Sequence, residues 1–227
     1  PKYLDPTEGV KIAQRSEGAL MNEKDITTFA LGNMTECFGS DFAIYNGRKM
    51  SRQPNSDLQL ISRILSIDGA KGDFSKDIPI LAEYDVPRDA WYYEQNSSVT
   101  MPYFMLMEIA LQPCGLLGAY LGSTLQFPDK DLYLRNLDGD GETFALPTGT
   151  DFRGKTITNK SVLISSIAYG ETILQRYTFE LSVDGHLFYK GNSSFGFFTV
   201  EALAAQAGLD KGEEVPAWYV SEQLKTS

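Results

Sequence analysis

The apolar run that follows Met101-Pro102 and ends at Gly122 is interrupted by two strongly polar side chains, Glu108 and Gln112. Four residues apart, they share one face of a helix, one turn from each other. A carboxylate in apolar surroundings is costly unless it is paired or protonated. A carboxyl kept there is therefore suited to acid–base work, with its affinity for the proton raised by burial. The amide one turn on is placed to orient it. A structural polar pair, hydrogen-bonded inside a core, explains the same spacing and is the simpler reading of spacing alone.

The elements around the pair follow from the flanking residues. Pro102 suits a first helical turn, where its missing N–H is no loss. Pro113 should kink or loosen the helix, and Gly122 suits its end. A helix over about 102–121 results. About 20 apolar residues would also span a membrane. A carboxylate, a glutamine and a proline inside the run argue instead for a helix enclosed by protein on nearly all faces.

The chain has 227 residues, 42% of them hydrophobic, enough for a sizeable core. A net charge of −10 disfavours nucleic acid and anionic membrane as partners. Cys37 and Cys114 make no disulfide framework. With no Cys/His cluster, no metal is expected, and without a glycine-rich phosphate loop no nucleotide cofactor either. The sequence shows no secretory signal, so a cytoplasmic setting is expected. It starts at Pro1, as a segment cut from a longer polypeptide would.

Four stretches divide the chain: an arm or linker at 1–24, a lead-in segment at 25–57, a main domain at 58–210 and a tail at 211–227. A short helix is predicted at Ile26–Met34 and a turn at Asn46-Gly47. Strands are predicted at Leu58–Ile67, Ile78–Val86, Asp131–Leu137, Gly154–Ile167, Thr172–Val183, His186–Lys190 and Ser193–Val200. Asp184-Gly185 reads as a two-residue hairpin turn. Asn136–Glu142 begins like a calcium loop, but its twelfth position is Pro147, so it reads as a polar turn. A last helix is predicted at Val200–Ala207. Strands, one long helix, then strands at hairpin spacing make an α+β pattern, an antiparallel sheet curled around a single helix.

That layout is the hotdog fold, and particular residues resemble one branch of it. The pieces are L-I-S-R-I-L-S-I-D-G-A-K-G-D-F, A-E-Y-D-V-P-R-D-A-W-Y-Y, and Met101-Pro102 with Glu108 and Gln112 behind them. They resemble the FabA-type 3-hydroxyacyl-carrier-protein dehydratases. T-M-P-Y-F-M-L-M-E-I-A-L-Q-P-C-G, D-L-Y-L-R-N-L-D-G and F-G-F-F are similar to the dehydratase region of polyunsaturated fatty acid synthases, the polyketide-synthase-like multienzymes. The resemblance implies conversion of a 3-hydroxyacyl thioester, held on an acyl carrier protein, to a trans-2-enoyl thioester and water. It implies no cofactor.

In that family a histidine is the base and the helix carboxyl is the acid. The helix N-terminus gives an N–H to the thioester carbonyl. The resemblance makes Glu108 the acid and Gln112 its orienting partner. It places Asn96 where the family has its histidine, five residues after Trp91. Tyr103 stands where the family has glycine, and with Phe104 and Asn96 it is the expected substrate contact. The one histidine, His186, follows the hairpin turn and reads as a surface residue. FabA-type sites form between two hotdogs. The chain is therefore expected to be the acid-donating half of a double hotdog, its histidine coming from a partner hotdog in tandem or in a dimer. A non-catalytic hotdog that supports its partner, and an acyl thioesterase, are the alternatives.

Overall fold

The computed structural model describes residues 17–75, 77–97, 100–144 and 150–206. The first 16 residues of the predicted arm and the whole predicted tail lie outside these. The first helix, α1 (Glu23–Leu31), starts on a reciprocal cap: Asn22 accepts from the Asp25 N–H, and Asp25 accepts from the Asn22 N–H. Gly32 ends it, and a second helix, α2 (Met34–Phe38), begins at the Asn33 cap. The single helix predicted at Ile26–Met34 is thus two, divided at the glycine. Met21 is buried and pairs with Ile64 through two backbone hydrogen bonds.

Strand β1 (Arg63–Ile67) is shorter than predicted. Residues Ser56–Leu58 form a 3-10 turn, and the Leu58 carbonyl and Leu60 N–H are claimed by Gln112 rather than by a strand. Next come β2 (Ile78–Asp85), the short helix α3 (Trp91–Glu94), and the long helix α4 (Tyr103–Tyr120). The strands β3 (Tyr133–Thr143), β4 (Thr156–Tyr169), β5 (Thr172–Val183) and β6 (His186–Phe198) follow, and α5 (Val200–Ala204) closes the described chain.

Two predictions fail here. Residues 136–142 are not a turn but the middle of β3, because its glycines make room for neighbouring side chains. A methyl group at Gly139 would crowd Met107, and one at Gly141 would overlap the Tyr189 ring. The two strands predicted over 186–200 are one, since Gly191 keeps its pairing with both Phe179 and Gly141. At the β5–β6 hairpin Asp184 and Gly185 both have positive φ, the conformation a twisted two-residue turn requires.

The six strands form one antiparallel sheet in the order β1-β2-β4-β5-β6-β3. Burial alternates along β5, with Ile173, Gln175, Tyr177, Phe179, Leu181 and Val183 all turned inward. Helix α4 lies against this inner face, with Ile109, Ala110, Cys114, Leu116 and Leu117 almost inaccessible to solvent. The lead-in residues Ile26, Phe29, Met34, Phe38 and Phe42 share one apolar cluster with the C-terminal half of α4. The architecture is the α+β hotdog arrangement. The segment from α4 onward is long and apolar enough to cross a membrane, yet 67% of it is buried inside the protein, as a core helix is.

Pro113 sits inside α4. Its missing N–H leaves the Ile109 carbonyl without its usual partner. The buried Asn159 side chain on β4 donates to that carbonyl at 2.9 Å, and to the Ala110 carbonyl at 3.2 Å. Ser161 in turn donates to Asn159 Oδ1 at 2.6 Å. The sheet thus repairs the helix where proline opens it. Asn159→Ala should cost about 2 kcal/mol in denaturant unfolding, the penalty for an orphaned buried carbonyl. In a Pro113→Ala background, where the helix regains its own bond, the same change should cost clearly less.

Candidate active site

Gln112 is the best-anchored polar side chain on α4, only 5% exposed. Its carbonyl oxygen accepts from the Leu60 N–H at 2.8 Å and from the Gln53 amide at 2.5 Å. Its nitrogen donates to the Leu58 carbonyl at 2.8 Å and to Glu108 Oε1 at 3.0 Å. The Leu60 N–H can only donate and the Leu58 carbonyl can only accept, so the amide cannot turn over without losing both bonds. These bonds favour the orientation in which the nitrogen faces Glu108.

Glu108 is half-buried, not enclosed as the apolar run suggested. The reason is the helix itself. At about 100° per residue, Tyr103, Phe104, Met107, Glu108, Leu111 and Gly115 fall within one angular sector of α4. These residues are all exposed or half-exposed, whereas the rest of the helix between Met105 and Ala119 is buried. The expected helix wrapped on nearly all faces therefore has one open, largely apolar stripe, and Glu108 lies on it. β3 flanks the stripe through Gly139 beside Met107, and residues 53–60 flank it through Gln112.

The other expected site residues are placed as follows. Tyr103 is 53% and Phe104 58% exposed at the first turn of α4. The Tyr103 hydroxyl donates to the Gly141 carbonyl at 2.9 Å, and its ring meets Tyr189 edge-on with centroids 5.7 Å apart. The tyrosine is thus tied down over β3. Asn96 is half-buried, and its amide donates to the Thr100 carbonyl at 3.0 Å, closing the loop that leads into α4. Among the described residues no hydrogen bond joins Asn96 to Glu108. His186 is exposed at the β5–β6 hairpin, its Nδ1 3.0 Å from the Asp184 carbonyl oxygen. Among the grooves that open on the described surface are four of about 460–570 Å³, and Glu108 and Gln112 do not line these four. Among the described residues no group of three or more His, Cys, Asp or Glu side chains is arranged to hold a metal ion.

Two features escaped the sequence reading. Gln53 sits in a polar loop, S-R-Q-P-N-S-D, with no periodicity to mark it as buried, yet it is 4% exposed. Arg63 is 1% exposed and binds Glu83 at 2.7 Å and Asp85 through two bonds of 2.6 and 2.8 Å. Burial works against its charge, but the two carboxylates outweigh that and push the guanidinium pKa up. The strand register Arg63↔Glu83 creates the pair, and register is invisible before the strands are paired.

Several related proteins set this geometry in context. No protein-family model matches the chain. It is 36% identical over 208 residues, 88% of its length, to one of the subunits that make up the polyunsaturated fatty acid synthase of Thraustochytrium sp.. The chain spans about 14% of the length of that curated relative. Among solved structures it is similar to the dehydratase heterocomplex ApeI:P of Xenorhabdus doucetiae, with 13% identity, a TM-score of 0.46, and 66% of this chain and 90% of that one covered. It is also similar to a hypothetical thioesterase with coenzyme A from Streptococcus pneumoniae, at 13% identity and TM-score 0.39, covering 59% of this chain and 85% of that one. The architecture makes the chain a hotdog domain. By its likeness to the curated subunit it belongs to the polyunsaturated fatty acid synthase family.

Two outcomes follow from these contacts. Gln53→Glu sets an acceptor against the Gln112 oxygen and should lower thermal stability more than the near-isosteric Gln53→Met, as melting curves will show. Burial pushes the thiols of Cys37 and Cys114 up to about 12. An unfolded thiol ionises near 9, so the unfolded state loses its protons first and stability should fall as pH rises from about 9 to about 12. Denaturant titrations across that range measure the effect.

Proposed function

We propose that the chain is the acid-donating half of a 3-hydroxyacyl-carrier-protein dehydratase, completed by a second hotdog and working in the cytoplasm. The observation that carries this reading is the Gln112 clamp, which holds a carboxyl in one orientation on an open apolar stripe. A purely structural pair needs no such exposure.

The chemistry follows from the bonds. Gln112 donates to Glu108 Oε1, so Oε2 is the oxygen free to carry a proton. A base on the partner hotdog takes the α-proton of the substrate. Protonated Glu108 gives its proton to the departing 3-hydroxyl, directly or through a water, and the hydroxyl leaves as water. The products are a trans-2-enoyl thioester, a glutamate carboxylate and a protonated base, and the last two exchange a proton to reset the site. Pro102 provides no side-chain cap to α4, and the Met105 N–H is already bonded to the Pro102 carbonyl, so the N–H groups of Tyr103 and Phe104 are the ones that serve the thioester oxygen as enolate character develops. Phe104 and Tyr103 border the approach. Asn96, with no basic nitrogen, cannot be the base, and the pairing with a second hotdog supplies one.

A second reading has its own support. The Tyr103 hydroxyl is spent on Gly141 and the Asn96 amide on Thr100, so both stand as structural ties around the helix N-terminus. A non-catalytic hotdog that supports its partner fits those two contacts. Glu108→Gln in the full-length synthase separates the readings. The dehydratase reading expects dehydration of a carrier-bound 3-hydroxyacyl group to fall by about 10²–10⁴-fold with folding intact. Unchanged turnover supports the structural role instead, and release of a free acid from the same thioester identifies a thioesterase.

A further inference from the structure

Gln53 reaches the site from outside the sheet and its central helix. It lies in the stretch between α2 and β1, is 4% exposed, and its amide donates to Gln112 Oε1 at 2.5 Å. Two ties hold this stretch against α1. Before Gln53, Arg52 donates to the Gly32 carbonyl at 2.6 Å. That carbonyl ends α1, where a helix leaves carbonyls unpaired and favours a cation. After Gln53, the Gln59 side chain accepts from the Thr27 hydroxyl at 3.3 Å, in the middle of α1. Burial fixes α1 in turn: Ile26 and Phe29 share an apolar cluster with Cys114, Leu116 and Leu117 of α4.

The Gln53 amide, the Leu58 carbonyl and the Leu60 N–H, which all meet Gln112, come from this one stretch. A line of bonded contacts therefore runs from α1 through residues 52–60 to Gln112, and from Gln112 to Glu108. Its polarity is uniform. Gln53 donates to Gln112 and Gln112 donates to Glu108, so both donors point toward the carboxyl. An amide whose oxygen accepts two bonds is a stronger donor, because linked hydrogen bonds polarise one another. A purely structural Gln53 is the simpler alternative, and two facts weigh against it. A buried amide costs more than an apolar side chain in the same place unless its bonds are used. The Gln112 oxygen already has the Leu60 N–H, so Gln53 is not needed to keep it paired. What Gln53 adds is direction.

We propose that Gln53 is a positioning residue for the Glu108 acid, acting through Gln112, and that the lead-in residues that carry it belong to the catalytic unit. This rests on the dehydratase reading, because it needs Glu108 to be the acid. Gln53 bonds neither the carboxyl nor the N–H groups of Tyr103 and Phe104 that serve the thioester. It acts on the fraction of time in which Glu108 presents Oε2 to the 3-hydroxyl. Binding of the thioester at the first turn of α4 does not depend on that fraction. The cost of losing Gln53 therefore falls on kcat and spares KM.

The test is steady-state dehydration of a carrier-bound 3-hydroxyacyl thioester by the full-length synthase carrying Gln53→Met, Gln112→Leu or both. Gln53→Met keeps the length of the side chain and removes the donor. Its kcat should fall about tenfold while KM stays within about twofold of wild type, the pattern of a misplaced acid. In the Gln112→Leu background the same change should have little further effect, since the route to Glu108 is already cut. Arg52→Met cuts the tie to α1 and leaves Gln53 in place. It should lower kcat in the same direction by a smaller factor, and it carries the test should Gln53→Met fail to fold. Melting curves set the assay temperature below the unfolding of every variant. A wild-type kcat in Gln53→Met, with Glu108→Gln depressed, would overturn the positioning role and leave the dehydratase reading standing. Equal losses from Gln53→Met with and without Gln112 would also overturn it, because the effect would then bypass the amide. A silent Glu108→Gln would remove the acid and this proposal with it.

Discussion

A glutamine amide has two faces that differ only in which end donates, and most of its surroundings must agree before one face wins. At Gln112 the agreement comes from backbone groups whose roles are fixed. The Leu60 N–H and the Leu58 carbonyl bracket the side chain, and Gln53 adds a third constraint on the oxygen. That arrangement cuts β1 short, anchors the lead-in segment to α4, and delivers one donor to Glu108. Position, orientation and local fold at the site are thus consequences of one saturated amide. Its burial raises the cost of any alternative, because each abandoned bond would leave a desolvated group unpaired.

The open stripe on α4 leaves one side of the core helix without a full protein cover. Here Phe104 is exposed and Met107 and Leu111 are half-exposed beside a carboxyl, while β3 stands at one edge of the sheet with its outer backbone groups unpaired within the sheet order. Apolar area next to a free edge is surface that a second hotdog can remove from water.

Buried polar groups recur through the domain, and the described ones are mostly satisfied. Arg63 bridges β1 to β2 through Glu83 and Asp85. Gln175 ties Ser123 and Ser166 to Tyr177 beneath the end of α4. Asn159 mends the helix at Pro113. Each is a specific solution in a low-dielectric interior, where a half-satisfied network costs more than none. The last two hold the helix against the sheet, through the Ile109 carbonyl and through Ser123, which bonds the Gly118 carbonyl.

How much of this was written in the linear order of residues can be judged element by element. The long helix, the hairpin at Asp184-Gly185 and the alternating strand β5 before it follow from local periodicity and turn chemistry, as does the i, i+4 relation of Glu108 to Gln112. Those features depend on near neighbours in the chain, so the amino-acid order alone determines them. The partial exposure of Glu108, the clamp from Gln53, the Arg63–Glu83 pair and the strand at 136–142 depend on groups far apart in the chain, and on glycines whose value appears only beside Met107 and Tyr189. Strand register and helix rotation set those contacts, and both are chosen by the packing of the whole core.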